Sequence, residues 1–160
     1  ELAALVLGER WVAGHAADPE LARAARDAVQ RIGAVLPPEL RLAVETSGLF
    51  VPARAHAPSP APWLPVLRRA IRDEHALLLH YRDEGGAVTQ RRIWPFAMAF
   101  FDHARLIAAW CELRQDFRHF RADRVVDLAD SGTRYPERRH ALIRRWRAQM
   151  RHFSRTDVHC

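Results

Sequence analysis

At 160 residues, 49% hydrophobic and 28% charged, the chain has room for one ordinary globular domain or a small domain with a helical appendage, and the composition excludes a disordered polymer. No apolar run approaches the roughly 18 residues that cross a bilayer, and Glu1-Leu2-Ala3-Ala4-Leu5 has no basic segment before it, which argues against a signal peptide and for a cytoplasmic protein. All 25 basic residues are arginine; residues 1–62 carry a net charge of −1 and residues 63–160 a net charge of +7, so any anionic partner belongs to the second part.

Leu2, Leu5, Val6 and Val12 fall on a helical period, predicting a first helix to about His15. Asp18-Pro19-Glu20 is a helix start: a capping carboxylate, a proline where the missing N–H does no harm, and an acid that suits the helix dipole. Leu21, Ala25, Ala28, Ile32 and Val35 form the stripe of this second helix, and Pro37-Pro38 ends it. Residues 37–62 read as irregular, with Pro58, Pro60 and Pro62 marking a stiff connector and the domain boundary. The first helices bury too little alone, so the expectation is a connector that associates with a second copy to make a homodimer.

A third helix runs from Trp63 to about His75, with Leu64, Leu67 and Ile71 on one face. The period then changes to two. Ala76–Arg82 reads as a strand, Asp83-Glu84-Gly85-Gly86 as a turn whose glycines take positive φ, and Val88–Trp94 as a strand stopped by Pro95. Phe96–Phe101 is the next strand, Asp102-His103-Ala104 a tight turn, Arg105–Cys111 a fourth strand and Phe117–Arg121 a fifth, with Val125–Leu128 extending the sheet. Short strands joined by tight turns point to a small antiparallel barrel, because closure removes exposed edges. A last helix spans Pro136 to about His152, with Leu142, Trp146 and Met150 as its stripe. The class is α+β: a helical connector at 1–62, then a barrel and C-terminal helix at 63–160.

Several of these pieces carry a resemblance. Ala70-Ile71, Tyr81-Arg82-Asp83, Arg92-Ile93-Trp94-Pro95, Cys111-Glu112-Leu113-Arg114 and Arg118-His119-Phe120-Arg121-Ala122-Asp123-Arg124-Val125 together resemble the WYL-domain family of bacterial transcription regulators. The segments Glu1–Gly8 and Leu36-Pro37-Pro38 are similar to the helical connector of its YafY-type branch. One departure is that Arg105, Leu106 and Ile107 stand where the Trp-Tyr-Leu that names the family belongs. The resemblance implies an SH3/Sm-like barrel that senses a nucleotide or oligonucleotide effector. It also implies operator DNA as a partner through a winged helix-turn-helix ahead of the connector, which these 160 residues do not contain.

For chemistry, Arg114, Arg118 and Arg121 interleave with Phe117 and Phe120: planar donors for phosphate beside rings on which a base can stack. The opposing reading pairs these arginines with Glu112, Asp116 or Asp123 and puts the rings in the core, with Arg124 the most structural of the set. Tyr81, Arg92 and Arg105 complete the candidate ligand-binding residues, Tyr81 at the end of a strand face and Arg105 as a cation in the tryptophan position. The nine histidines form no metal-binding spacing, and Cys111, inside an apolar run, reads as an inert thiol. No cofactor, metal, membrane contact or catalysis is expected. The favoured function is a sensor that shifts a dimer's DNA-binding geometry; the alternative is a constitutive Sm-like nucleic-acid-binding or assembly module.

Overall fold

The structure, a computed structural model, describes residues 2–15, 18–48, 50–52, 61–101 and 104–156, with side chains described as far as residue 150. The chain divides into two compact units, residues 1–62 and 63–160.

The first unit is helical. Helix α1 spans Leu2–His15 and α2 spans Pro19–Val35. Asp18 caps α2 in extended backbone geometry, its Oδ1 accepting from the Leu21 N–H at 3.0 Å. Part of the stretch expected to be irregular is instead a helix, α3, at Pro38–Glu45. Pro37-Pro38 both ends α2 and starts α3, because Pro38 falls where a helix needs no N–H and Glu39 follows in its first turn. Arg41 joins the two helices, donating to the Gly33 and Leu36 carbonyls at 3.1 and 3.3 Å. Pro58 and Pro60 lie outside the described residues. Among the described residues, the buried apolar ones of this unit are Val6 and Ala22, while Leu5, Val35, Leu40, Leu42 and Phe50 are exposed.

The second unit is built on a sheet. Helix α4, Leu64–Asp73, buries Leu64, Leu67 and Ala70 at i, i+3 and i+6 and packs on β1, β2 and β5. The chain leaves it through Glu74 in the left-handed region (φ 61°) and enters β1, His75–Arg82. The hairpin after β1 needs less glycine than expected. Gly86 alone takes a positive φ there (86°), and the Asp83 carboxylate holds the rest by accepting from the Ala87 N–H at 2.9 Å.

Strand β2 is continuous over Val88–Phe100, so Pro95 does not stop it. The reason lies in the pairing. Val88–Ile93 pair with β1, Ile93–Phe100 pair with β3 (Arg105–Cys111), and the register slips between Pro95 and Ala97. A proline at a bulge leaves no ladder bond missing, and the strand bends there from one neighbour to the next. Strand β4, Asp116–Arg121, pairs with β3. A single 3-10 turn, Ala122–Arg124, leads to β5, Val125–Arg134, which returns to β1.

The order β4-β3-β2-β1-β5 is therefore an open antiparallel sheet and not the closed barrel expected from the strand count. The short 3-10 turn carries the chain across the gap that a β4–β5 ladder would have filled. The sheet is nevertheless strongly curled, because Tyr81 at the end of β1 reaches the end of β4. Its hydroxyl oxygen accepts from the Arg121 N–H at 3.2 Å, and its ring meets Phe120 edge-on, 5.1 Å between centroids.

Helix α5, Arg139–Thr156, covers the other side. Leu142, Ile143 and Trp146 pack on Phe96, Ala108, Tyr135, Trp94, Trp110 and Phe117. Tyr135 is held there by a bond from its hydroxyl to the Pro95 carbonyl at 3.3 Å, and burial pushes its phenol up to about 12. Glu74 ties α5 to α4. Its carboxylate accepts from the Arg139 N–H at 3.1 Å, where α5 begins, and pairs with Arg138 at 2.9 Å.

Candidate anion-binding site

The strand alternation sorts the predicted residues before any distance is measured. Across the β3–β4 ladder, Ile107 faces Phe120 and Ala109 faces Arg118, while Leu106 faces Arg121, so Arg118 and Phe120 share one face and Arg121 takes the other. Arg114 stands in the β3–β4 turn, its N–H donating to the Cys111 carbonyl at 3.2 Å. From Asp116 to Arg121 the strand advances about 17 Å, so Arg114 and Arg121 occupy opposite ends and do not form one pocket.

Arg92 belongs to the Arg114 end. Its guanidinium pairs with Glu112 at 3.3 Å and donates to the Thr133 hydroxyl at 2.5 Å, while Glu112 also accepts from the Trp94 indole at 2.6 Å. That is a structural bracket between β2, the β3–β4 turn and β5.

Two expectations about exposure, for Phe120 and Arg105, are corrected, while Tyr81 is buried as its place on the face of Leu77 and Leu79 implies. Phe120 is 2% exposed and Tyr81 8% exposed, so neither ring offers a face for base stacking; each is covered by the other across the curl of the sheet. Arg105 is 9% exposed, a buried partnered cation and no surface donor, because its side of β3 carries the buried Ile107, Ala109 and Cys111. Cys111 is a buried free thiol. The Asp102-His103 turn lies outside the described residues.

What the curl does assemble is a rim where the ends of β1 and β4 and the start of β2 converge. Arg91 lies 6.0 Å above the Phe120 ring, with its Nε donating to Thr89 at 3.1 Å. Arg121 makes a two-toothed pair with Asp123, at 3.0 and 2.9 Å. Arg124 pairs with Glu84 of the hairpin at 3.2 Å. Beside them Arg82, Asp123, Arg124, Val125 and Val126 line a surface cleft of about 310 Å³.

The hydrogen bonds from Arg121 hold the Asp123 carboxyl below its usual range against the cost of its partial burial, so it stays ionised. Arg121 and Arg124 thus face two carboxylates, Asp123 and Glu84, with Arg82 beside them in the cleft lining, and the rim keeps an excess of guanidinium. Glu84 is almost fully exposed, and a pair so hydrated exchanges its carboxylate for another anion at little cost.

Sequence reading chose Arg92 over Arg91 and set Arg124 aside, and it passed over Arg82 as a strand end. The signal that separates Arg91 from Arg92 is strand parity: Arg91 lies opposite Leu79 on the buried side of β1, Arg92 opposite Leu78. Parity alone does not show that the sheet curls enough to bring Arg91 to Phe120. Arg114 and Arg118 remain exposed on the β4 side.

Among the described residues no group of three or more His, Cys, Asp or Glu is placed to hold a metal, and no helix is long and apolar enough to cross a membrane.

A solved structure of proteasome accessory factor B/C (PafBC) of Arthrobacter aurescens matches 62% of this chain at 29% identity with a TM-score of 0.47. The present chain spans 15% of that one. The family model described as WYL domain matches residues 62–129. That range takes in α4, strands β1 to β4, the whole rim and the first half of β5, so the match to the WYL-domain model covers the candidate site.

Proposed function

We propose that the chain is the effector-sensing, regulatory part of a bacterial transcription factor acting in the cytoplasm. It binds a phosphate-bearing effector, a nucleotide or a short single-stranded nucleic acid, and passes the event to a winged helix-turn-helix elsewhere in the longer protein. It acts by binding and not by catalysis. The observation that carries this reading is the surface cleft lined by Arg82 and Arg124, with Arg121 paired to the Asp123 of its wall, within residues matched by the WYL-domain model.

Phosphate competes there with Glu84 for Arg124, and planar guanidinium forks suit its oxygens. In this reading the curled sheet is the SH3/Sm-like barrel of the family, with its last strand pair replaced by the 3-10 turn. Helices α1 to α3 supply the dimer contact through Leu5, Leu40 and Leu42, which their own unit leaves exposed.

Titration of a short fluorescent oligothymidylate at low salt tests it. Replacing Arg82 and Arg124 by Ala is expected to weaken binding roughly tenfold and to flatten the salt slope by about 1.4, at 0.7 per single-strand phosphate contact. Replacing Arg114 and Arg118 by Ala, charge-matched in the β3–β4 turn and on β4, measures the site first read from the sequence. A larger loss from this second pair moves the site to β4. Binding that changes neither assembly state nor operator affinity of the longer protein reduces the chain to a constitutive binder.

A further inference from the structure

The strongest charge in the molecule lies outside both the rim and the matched domain. Helix α5 contains six arginines and no Asp or Glu, so this one helix carries as much positive charge as the whole chain's net +6. Its inward face is fixed by packing: Leu142 is fully buried, and Ile143 and Trp146 join the same cluster. Two neighbouring arginines are already committed. Arg138 pairs with Glu74, and Arg145 pairs with Glu137 while lying 4.7 Å above the Trp110 ring and 5.4 Å above Phe117.

Arg144 and Arg147 are different. They are exposed, no described acidic group lies within ion-pair distance of either, and helical geometry puts them one turn apart on the side opposite Leu142. In the sequence the next positions on that period, 151 and 155, are also arginine. Like charges at such spacing repel and destabilise a helix. The repulsion persists here because docking on the sheet holds the helix, and an external polyanion relieves it.

We propose that the outer column of α5, centred on Arg144 and Arg147, binds the phosphate backbone of double-stranded DNA. This goes beyond the effector reading and does not depend on it, since none of the rim residues takes part. A membrane surface fits less well: an amphipathic helix binds lipid by burying its apolar face, and here that face is already spent on the sheet. A single strand fits less well too, because the column presents no aromatic ring among the described residues on which bases could stack. A duplex offers closely spaced phosphates along a rigid axis, about one charge per 1.7 Å, and asks only for a row of cations. Binding at this surface is then independent of base sequence.

The test is fluorescence anisotropy of the full chain with a labelled mixed-sequence duplex of about 20 base pairs at roughly 50 mM salt. Arg144→Glu with Arg147→Glu is expected to weaken binding by roughly tenfold or more and to make the salt slope shallower by about 1.8, at 0.9 per contact. Arg23→Glu with Arg26→Glu, on exposed positions of α2 with the same charge change, should cost less than about threefold, and so should the rim pair Arg82→Ala with Arg124→Ala. The Arg144→Gln, Arg147→Gln pair gives the same direction should charge reversal disturb α5, and circular dichroism reports that disturbance. Equal losses from the α5 and α2 pairs mean diffuse attraction and overturn the proposal. So does a duplex that fails to bind, a single strand of the same sequence that loses more affinity than the duplex from the Arg144 and Arg147 changes, or binding to phosphatidylserine vesicles in place of DNA.

Discussion

The two units of this chain solve the burial problem differently. Residues 63–160 put apolar side chains on both faces of a sheet and cover each face with a helix, so Leu64, Leu67, Leu77, Leu79, Ile93, Phe96, Ile107 and Leu142 are almost wholly removed from water. Residues 1–62 fold three helices on one another and, among the described residues, bury only Val6 and Ala22 of their apolar side chains, leaving Leu5, Leu7, Val35, Leu40, Leu42 and Phe50 exposed and the other large ones half-buried. The sheet layer has many close partners per side chain; the three-helix layer has one shallow seam. A unit of the first kind is stable by itself, and one of the second kind needs another surface.

Paired substitutions break that comparison most directly. Leu79→Ala in β1, at a fully buried site, is expected to cost about 2–5 kcal/mol through lost burial and the cavity left behind. Leu42→Ala in α3, 60% exposed, is expected to stay within about 0.5 kcal/mol. Urea denaturation followed by circular dichroism measures both. If the first unit is the contact between copies, Leu42→Glu lowers the mass seen by light scattering at fixed concentration while leaving the urea midpoint of residues 63–160 unmoved. Equal costs for the two alanine changes would erase the distinction.

The same contrast explains what the sequence made legible. Period and punctuation placed α1, α2, α4, β1, β3 and β4 within a residue or two, because each is bounded by a local signal: Asp18-Pro19, the change of period at His75, the Gly86 turn. Pro95 misled because its meaning is set by pairing. The missing N–H is harmless at a bulge, and no local pattern says where a strand changes partner. Closure misled for a related reason: the Tyr81–Arg121 bond joins residues 40 apart, and the three-residue 3-10 turn Ala122–Arg124 that stands in for a β4–β5 ladder has no period of its own to read. The candidate site suffered most. Interleaved Arg and Phe on β4 look like a stacking platform in one dimension, and the curl that buries Phe120 is visible only in three.

A smaller effect tests how α5 is tied to the rest of its unit. Glu74 receives the Arg139 N–H and the Arg138 guanidinium, and these, the backbone bond first, hold its carboxyl below the usual range. It therefore acts as a helix cap supplied from another helix. Glu74→Ala is expected to cost about 1 kcal/mol, as loss of an N-cap does, and to raise hydrogen exchange in the first turn of α5 while leaving β3 protected. No change in exchange at α5 would mean that its packing alone fixes its start.

The smallest effect is a pH dependence at the same interface. The Trp146 indole N–H donates to His119 Nε2 at 3.1 Å, so the imidazole is neutral with its proton on Nδ1. Partial burial under α5 holds the His119 pKa below its ordinary value. A histidine kept neutral by folding binds its proton more readily when unfolded. Its contribution is therefore full above about pH 6.5 and is lost as the pH falls from there toward the lowered folded value. The depressed carboxyls of Asp116, Asp123 and Glu74 act lower, their contributions fading only as pH falls through about 4 toward their folded values. The two windows are separable. Between about pH 7.5 and 5.5 the wild-type chain is expected to lose urea resistance slightly more than His119→Gln, whose amide oxygen accepts from Trp146 without titrating. Identical pH profiles would show that His119 contributes only its shape, and that the seam between α5 and the sheet has no proton-sensitive contact at this position.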